Sequence, residues 1–335
     1  MQRFPGRILL AFPLFGLLLP CCHASATPFS PGAAPKTSYP VANEWAADRV
    51  LHLYGLPDVK AKAKGRMSIN ADGIRFSENG SATALPIANI LAVHTGNERV
   101  ELWGIKGRIL RMLLPDGGGA VVASFLHHRI DMLTVEYRDD KGGYHAAVFE
   151  LPAKEAVRAM QMAAQYASSS HPQPQRGHCE GQQVQAHTVQ LQLPDWQDQH
   201  VPFAYRALVY EHLISDLNHD KQDLTVYRDG ELGAKQQCAQ YTVVLREDRF
   251  RAGSQVARAI IGPLAYFVGY TQISFHLSVA DATGRELYSK QIKAAVHDEA
   301  ENNKVAEKSA KKLGKKFAKW KKQYEKPAQP TQMAS

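Results

Sequence analysis

Cysteine is scarce in this sequence, with four among 335 residues, and recognisable catalytic patterns are scarcer still. There is no G-x-S-x-G elbow, no phosphate-binding loop of Walker type and no H-E-x-x-H helix. The closest approach to a metal site is His178-Cys179-Glu180 with His187, which sits beside a flexible stretch that gives no framework for fixed ligand geometry. Asp216-Leu217-Asn218-His219-Asp220 opens like a calcium loop. However, Lys221 stands where the sharp turn needs glycine, and Tyr227 where a bidentate glutamate is required. These absences argue against an enzyme and against a bound cofactor or metal. A hydrolase whose groups meet only in space stays as an alternative. Beyond the amino terminus, no apolar run approaches the length of a membrane span.

What is present begins with an export signal. Arg3 and Arg7 precede an apolar core at residues 8–19, and Ala24-Ser25-Ala26 offers small residues for a signal peptidase. Residues 1–26 are expected to be removed after Ala26, leaving an exported protein that is periplasmic or associated with the outer membrane. Acylation at Cys21 or Cys22 is the alternative, but Pro20 or Cys21 then occupies the position that a lipobox reserves for a small residue. Removing the signal leaves Cys179 and Cys238, an even count in an oxidising compartment, which reads as one disulfide.

The formal charge of +8 is local. Residues 304–326 hold ten lysines against Glu307 and Glu325, so this segment alone carries a net +8. Neither half of the chain is basic elsewhere, and an exported protein does not meet nucleic acid, so nucleic acid is not an expected partner.

Composition divides the remainder. Residues 27–44 are a Pro-, Ser- and Ala-rich leader, 168–185 a Ser-, Pro- and Gln-rich linker, and 327–335 a disordered tail. Two domains are expected between them, at 45–167 and 186–326. In the first, Met67-Ser68-Ile69 and Ile74-Arg75-Phe76 flank an Asp72-Gly73 turn, a strong hairpin signal. Strands are expected at 85–93, 101–105 and 108–114, and an apolar loop or short helix at 117–128. A second hairpin sets Leu133, Val135 and Tyr137 against His145, Ala147 and Phe149. Pro152 then opens a helix with Ala156, Met160 and Ala163 on one face. The pattern describes a small antiparallel β-barrel or sandwich capped by a helix. In the second domain, Phe203, Ala207, Tyr210, Ile214 and Leu217 form a helical stripe. Ile273, Phe275, Leu277 and Val279 alternate with polar residues as a half-buried strand. The expected fold is α+β, with mostly antiparallel strands and a long Lys-rich carboxy-terminal helix.

Residues 65–93, with Asp72-Gly73-Ile74-Arg75-Phe76 and Asn89-Ile90-Leu91-Ala92-Val93, resemble bacterial pleckstrin-homology and GRAM-like domains. Lys60, Lys62, Lys64 and Arg66 alternate before the first hairpin, so strand geometry would set all four on one face as a weak anion site. The second half resembles an exported bacterial family of unknown function and, more distantly, the curli-secretion and TolB amino-terminal α+β domains. The residues that carry this are Val201-Pro202-Phe203, Arg251-Ala252-Gly253-Ser254 with Arg258, and Val279 to Gly284. This resemblance implies envelope association and oligomeric or scaffolding work, so a homo-oligomer is compatible with it.

The last helix carries the most chemistry. Ala306, Ala310, Leu313, Phe317, Trp320 and Tyr324 recur at helical spacing, with lysines at most other positions. The stripe is expected to dock on the second domain's sheet. Lys311, Lys312, Lys315, Lys316, Lys319, Lys321 and Lys322 would then meet an anionic partner. Together these features point to a non-catalytic cell-envelope protein, binding or scaffolding at an envelope protein or an anionic lipid or lipopolysaccharide surface. An oligomerising secretion or assembly component is the second reading.

Overall fold

Alternating apolar residues build the first sheet from seven strands. The structure, a computed structural model, describes residues 44–101, 127–166, 182–219, 224–233, 237–251, 271–296 and 302–324. The expected signal peptide and most of the leader lie outside the described residues, as do 102–126, most of the linker and the tail. The strands are β1 (Glu44–Tyr54), β2 (Ala63–Asn70), β3 (Gly73–Glu78), β4 (Ser81–Pro86), β5 (Ile90–Glu101), β6 (His127–Arg138) and β7 (Tyr144–Leu151). They are followed by α1 (Glu155–Tyr166).

The order β4-β3-β2-β1-β7-β6-β5 is antiparallel where its ladders are described, and both expected hairpins are in it. Ile69 faces Ile74 and Met67 faces Phe76 across the Asp72-Gly73 turn, where the Asn70 side chain accepts both turn amides. Leu133 faces Phe149, Val135 faces Ala147 and Tyr137 faces His145. The strand expected over 85–93 is interrupted. Pro86 closes β4, and a 3-10 turn at Ile87–Asn89 intervenes before β5, with Ile87 N–H bonded to the Asp72 carbonyl at 3.0 Å. Proline ends the ladder because it brings no N–H to it. β4 and β5 stand at opposite ends of the order with no ladder joining them among the described residues. The sheet is therefore open and sandwich-like, not a closed barrel.

Sequence alternation also explains the layers. Leu133, Val135, Ala147 and Phe149 pack on one side with Met67, Phe76, Ala159 and Ala163, so α1 covers this face. Met132, Ala146 and Val148 point to the other side, where they join a second cluster. β6 and β7 are thus buried on both faces around Met132–Leu133 and Ala146–Phe149.

The second sheet has five strands: β8 (Gln183–Leu191), β9 (Thr225–Tyr227), β10 (Gln237–Arg251), β11 (Thr271–Asp281) and β12 (Glu286–Val296), in the order β12-β11-β10-β8-β9. β10, β11 and β12 are antiparallel, whereas β8 runs parallel to both β10 and β9. The parallel β8–β9 pair follows from α2 (Phe203–His219), which connects them, because parallel neighbours need a crossover. Ile273, Phe275, Leu277 and Val279 are all buried, as their alternation requires.

α2 departs from the single apolar stripe. Phe203 is half exposed, while Ala204, Tyr205, Leu208, Val209, Glu211 and Leu213 are buried beside the expected Ala207, Tyr210, Ile214 and Leu217. A helix buried nearly all round is wedged between layers, not laid on a surface. Its neighbours are Met132, Ala146 and Val148 of the first sheet, Val243, Leu245 and Phe275 of the second, and the helix α3 (Asn302–Tyr324). The layer sequence is α1, first sheet, α2 with α3, second sheet. Each Leu or Ile of α2 so buried contributes about 1.5–3 kcal/mol relative to exposure.

Candidate functional site

α3 divides its surface cleanly. Val305, Ala306, Ala310, Leu313, Phe317 and Trp320 are buried in the α2 cluster, and Trp320 packs edge-on to Tyr241 with ring centroids 5.4 Å apart. Tyr205 of α2 and Ser309 of α3 share a buried hydrogen bond of 3.2 Å. The apolar stripe is therefore used up by docking, apart from Tyr324, which stays half exposed.

The opposite face is lysine. Lys304, Lys308, Lys311, Lys315, Lys319 and Lys322 are exposed and follow one another at intervals of four or three residues. At 1.5 Å per residue this ridge runs for about 27 Å. Lys312 and Lys316, also exposed, flank it, and Glu307 is the one acidic residue of the helix. Two of the lysines have a second task. Lys308 Nζ donates to the Ala295 carbonyl at 2.7 Å and Lys312 Nζ to the Lys293 carbonyl at 3.0 Å. Both carbonyls belong to β12, an edge strand, so these ammonium groups cover part of an edge that would otherwise template another strand. Lys321, grouped by sequence with the outward lysines, is buried at 6% exposure and lies off the ridge.

The basic run near β2 is arranged differently from its expected single face. Lys60 and Lys62 precede the strand in a turn, with Lys62 at φ 66°, and only Lys64 and Arg66 lie on β2. Arg66 is paired with Asp48 at 3.2 Å. Cys238 is buried, while Cys179, its expected disulfide partner, lies outside the described residues.

A second constellation lies where the first sheet meets α2 and the end of β9. Glu211 of α2 is 2% exposed, and its carboxylate takes both ends of the Arg228 guanidinium, at 2.9 and 2.8 Å. Ala146 N–H donates to the same carboxylate at 3.0 Å, and Arg228 also donates to the Tyr144 carbonyl at 3.0 Å. Burial opposes the charge on Arg228, but the adjacent Glu211 outweighs it and holds the guanidinium more firmly protonated than usual. The turn after β9 is tied to the first sheet. Tyr144 N–H donates to the Asp229 carbonyl at 2.9 Å, Asp229 N–H to the Tyr210 hydroxyl at 3.0 Å, and Arg138 to the Gly142 and Asp229 carbonyls.

These groups border a cavity of about 310 Å³ lined by Tyr54, Gly55, Leu56, Pro57, Val59 and Ala61, with His145, Glu211 and Arg228. Its wall is pinned in place. The buried His52 ring bonds the Lys60 carbonyl at 3.2 Å and the Leu56 N–H at 3.1 Å, and Tyr137 donates to the Gly55 carbonyl at 2.7 Å. Gly55, at φ 99°, presses so closely on β7 that a Cβ would fall 2.0 Å from the Ala146 carbonyl oxygen. Burial, and then Arg228, lower the affinity of His145 for a proton. Burial alone would raise Asp139, but His145 and the Gly143 and Lys141 amides hold it below the ordinary carboxylate range. Asp139 is therefore ionised at neutral pH. It accepts from His145 Nε2 at 3.1 Å, which leaves Nδ1 as the unprotonated acceptor of the ring.

No protein-family model matches the chain, and no curated protein matches it. Solved structures with partial similarity include a PelC dodecamer from Paraburkholderia phytofirmans, 13% identical with a TM-score of 0.28. A variant of that dodecamer is 12% identical with a TM-score of 0.27. Each match covers 38% of this chain and 84% of the other. No helix among the described residues is long and apolar enough to cross a membrane.

Sequence reasoning missed the Glu211–Arg228 junction. Its partners are 17 residues apart and on different elements, so no spacing rule joins them. The available signal was Glu211 itself, an acid with Ala207, Leu208, Tyr210, Leu213 and Ile214 within a helical turn of it, a setting that an interior partner would satisfy.

Proposed function

We propose that this protein is a non-catalytic module of the cell envelope that binds an anionic lipid surface through the lysine ridge of α3. The observation that carries the reading is the division of α3. Its apolar stripe is consumed in the core, so Lys311, Lys315, Lys316, Lys319 and Lys322 are not needed to dock the helix and stand outward as an array. Near an anionic membrane each such lysine contributes roughly 1 kcal/mol, and several acting together give useful affinity without any membrane insertion. The amino-terminal segment, read as an export signal, supplies the compartment where such surfaces occur. The seven-stranded sheet with its following helix supports a pleckstrin-homology-like first half, and the second half is proposed as the envelope-scaffolding type of α+β domain.

Co-sedimentation tests the reading. The exported chain should pellet with phosphatidylglycerol-containing vesicles and not with pure phosphatidylcholine. Binding should weaken steeply as salt shortens the screening length from about 10 Å at 0.1 M to about 3 Å at 1 M. Equal pelleting with both lipids, or binding indifferent to salt, would overturn it.

A further inference from the structure

We infer that the cavity at the Glu211–Arg228 junction is a binding site for an uncharged, sugar-sized ligand that presents several hydroxyl groups. The inference is independent of the lysine ridge and starts from an inventory of donors. A guanidinium has five N–H groups. Arg228 uses both Nη1 hydrogens, on Tyr144 and Glu211, and one Nη2 hydrogen, on Glu211. Its Nε–H and second Nη2–H have no protein partner among the described residues. They share one edge of the group and form a fork for a single acceptor oxygen. His145 lines the same cavity, and its Nδ1 is left as an acceptor because Asp139 fixes the proton on Nε2. The polar wall thus asks for a ligand that both accepts and donates, as the hydroxyl groups of a sugar do.

Local charge decides that the ligand is neutral. Arg228 is already balanced by Glu211 at 2.8 Å and Arg138 is 3.8 Å from Asp229, while Asp139 beside His145 and Asp58 at the rim are matched by Lys60 and Lys62, which flank the lining residue Ala61. An anion would find the guanidinium of the polar wall already neutralised by Glu211, and a cation would meet the Arg228 N–H groups. A neutral hydroxyl meets neither penalty. The remaining wall is apolar, from Leu56, Pro57, Val59 and Ala61, and would cover the C–H faces of a small ring. The volume of about 310 Å³ is at the small end of ligand sites. Because His52, Tyr137 and Gly55 already fix the wall, binding would need little reordering of the chain.

A matched series on one ring tests this: glucose, glucuronate and glucosamine, titrated into the full chain by calorimetry and by nitrogen NMR of the histidine side chains. Glucose should bind and move the His145 Nδ1 resonance, with an affinity about tenfold or more above either charged analogue, a gap of about 1.4 kcal/mol. Ala61→Trp, an exposed position outside the polar network, should fill the mouth and abolish binding while the fold persists. The inference is overturned if glucose does not bind, if A61W leaves its binding unchanged, or if glucuronate binds as tightly as glucose.

Discussion

The Glu211–Arg228 pair and the α3 lysines put charge in opposite settings within one molecule. In the first, a carboxylate with 2% exposure is held by a bidentate guanidinium and a backbone amide, and every partner has a fixed position. In the second, six lysines lie along an exposed helix face with a single acidic neighbour on the helix. The buried pair joins the first sheet to α2 and the β9 turn, so its charges belong to the architecture. The ridge rests on an apolar seam, and its Lys311, Lys315, Lys319 and Lys322 charges are available to a partner. Burial, not residue type, separates the two roles.

The sharpest way to break this contrast is to remove one buried partner. Arg228→Met leaves Glu211 charged and uncompensated in the interior, and urea denaturation should show a loss of about 3–5 kcal/mol. The double variant E211L/R228M should recover much of that loss, since the pair's attraction only offsets the cost of taking both ions out of water. If R228M costs no more than a typical surface substitution, the junction does not have the role given to it.

Acid probes the same region with a smaller effect. Burial lowers the proton affinity of both His52 and His145 below the ordinary histidine value of 6.5. Their contribution to stability is therefore complete above about pH 6.5 and is lost as pH falls through the lowered values. Asp139, held below the ordinary carboxylate range, contributes above that range and loses its contribution at still lower pH. Urea midpoints measured from about pH 8 to about pH 5 should fall, and His145→Gln should flatten part of the slope. A midpoint that rises on acidification contradicts the assignment.

A smaller change sharpens the picture of α3 as a docked helix. Gly314 has no steric need to be glycine, because an added Cβ would sit 3.5 Å from the Asp216 Cβ, an ordinary contact. Gly314→Ala should raise stability by about 0.5–1 kcal/mol in the same denaturation assay, through helix propensity alone. Destabilisation would mean that α3 packs against α2 more tightly than the Asp216 contact indicates.

How much of this was legible in the sequence depended on whether a feature was local. The two hairpins of the first sheet were readable because turn chemistry and period-two alternation fix register within a few residues, as with Ile69 opposite Ile74 and Leu133 opposite Phe149. The docking stripe of α3 was readable for the same reason at helical period. The double-sided burial of α2 was not, since a stripe search stops once one face is found, and Tyr205, Leu208 and Glu211 lie off that face. The Arg228 junction and the edge-covering bonds of Lys308 and Lys312 were also invisible. They depend on which elements tertiary packing brings together, and a lysine's partner on a neighbouring strand leaves no trace in spacing.

The central claim is that the ridge from Lys311 to Lys322 is spare to the fold and committed to an anionic surface, and one protein tests both halves. The variant K311Q/K315Q/K319Q/K322Q removes four exposed ridge charges and leaves the β12 contacts of Lys308 and Lys312 in place. Its unfolding free energy should stay within about 0.5 kcal/mol of the parent, as surface substitutions do. Its sedimentation with phosphatidylglycerol vesicles should fall by two orders of magnitude or more, at roughly 1 kcal/mol per lysine. Unchanged vesicle binding in a variant of unchanged stability would contradict the account.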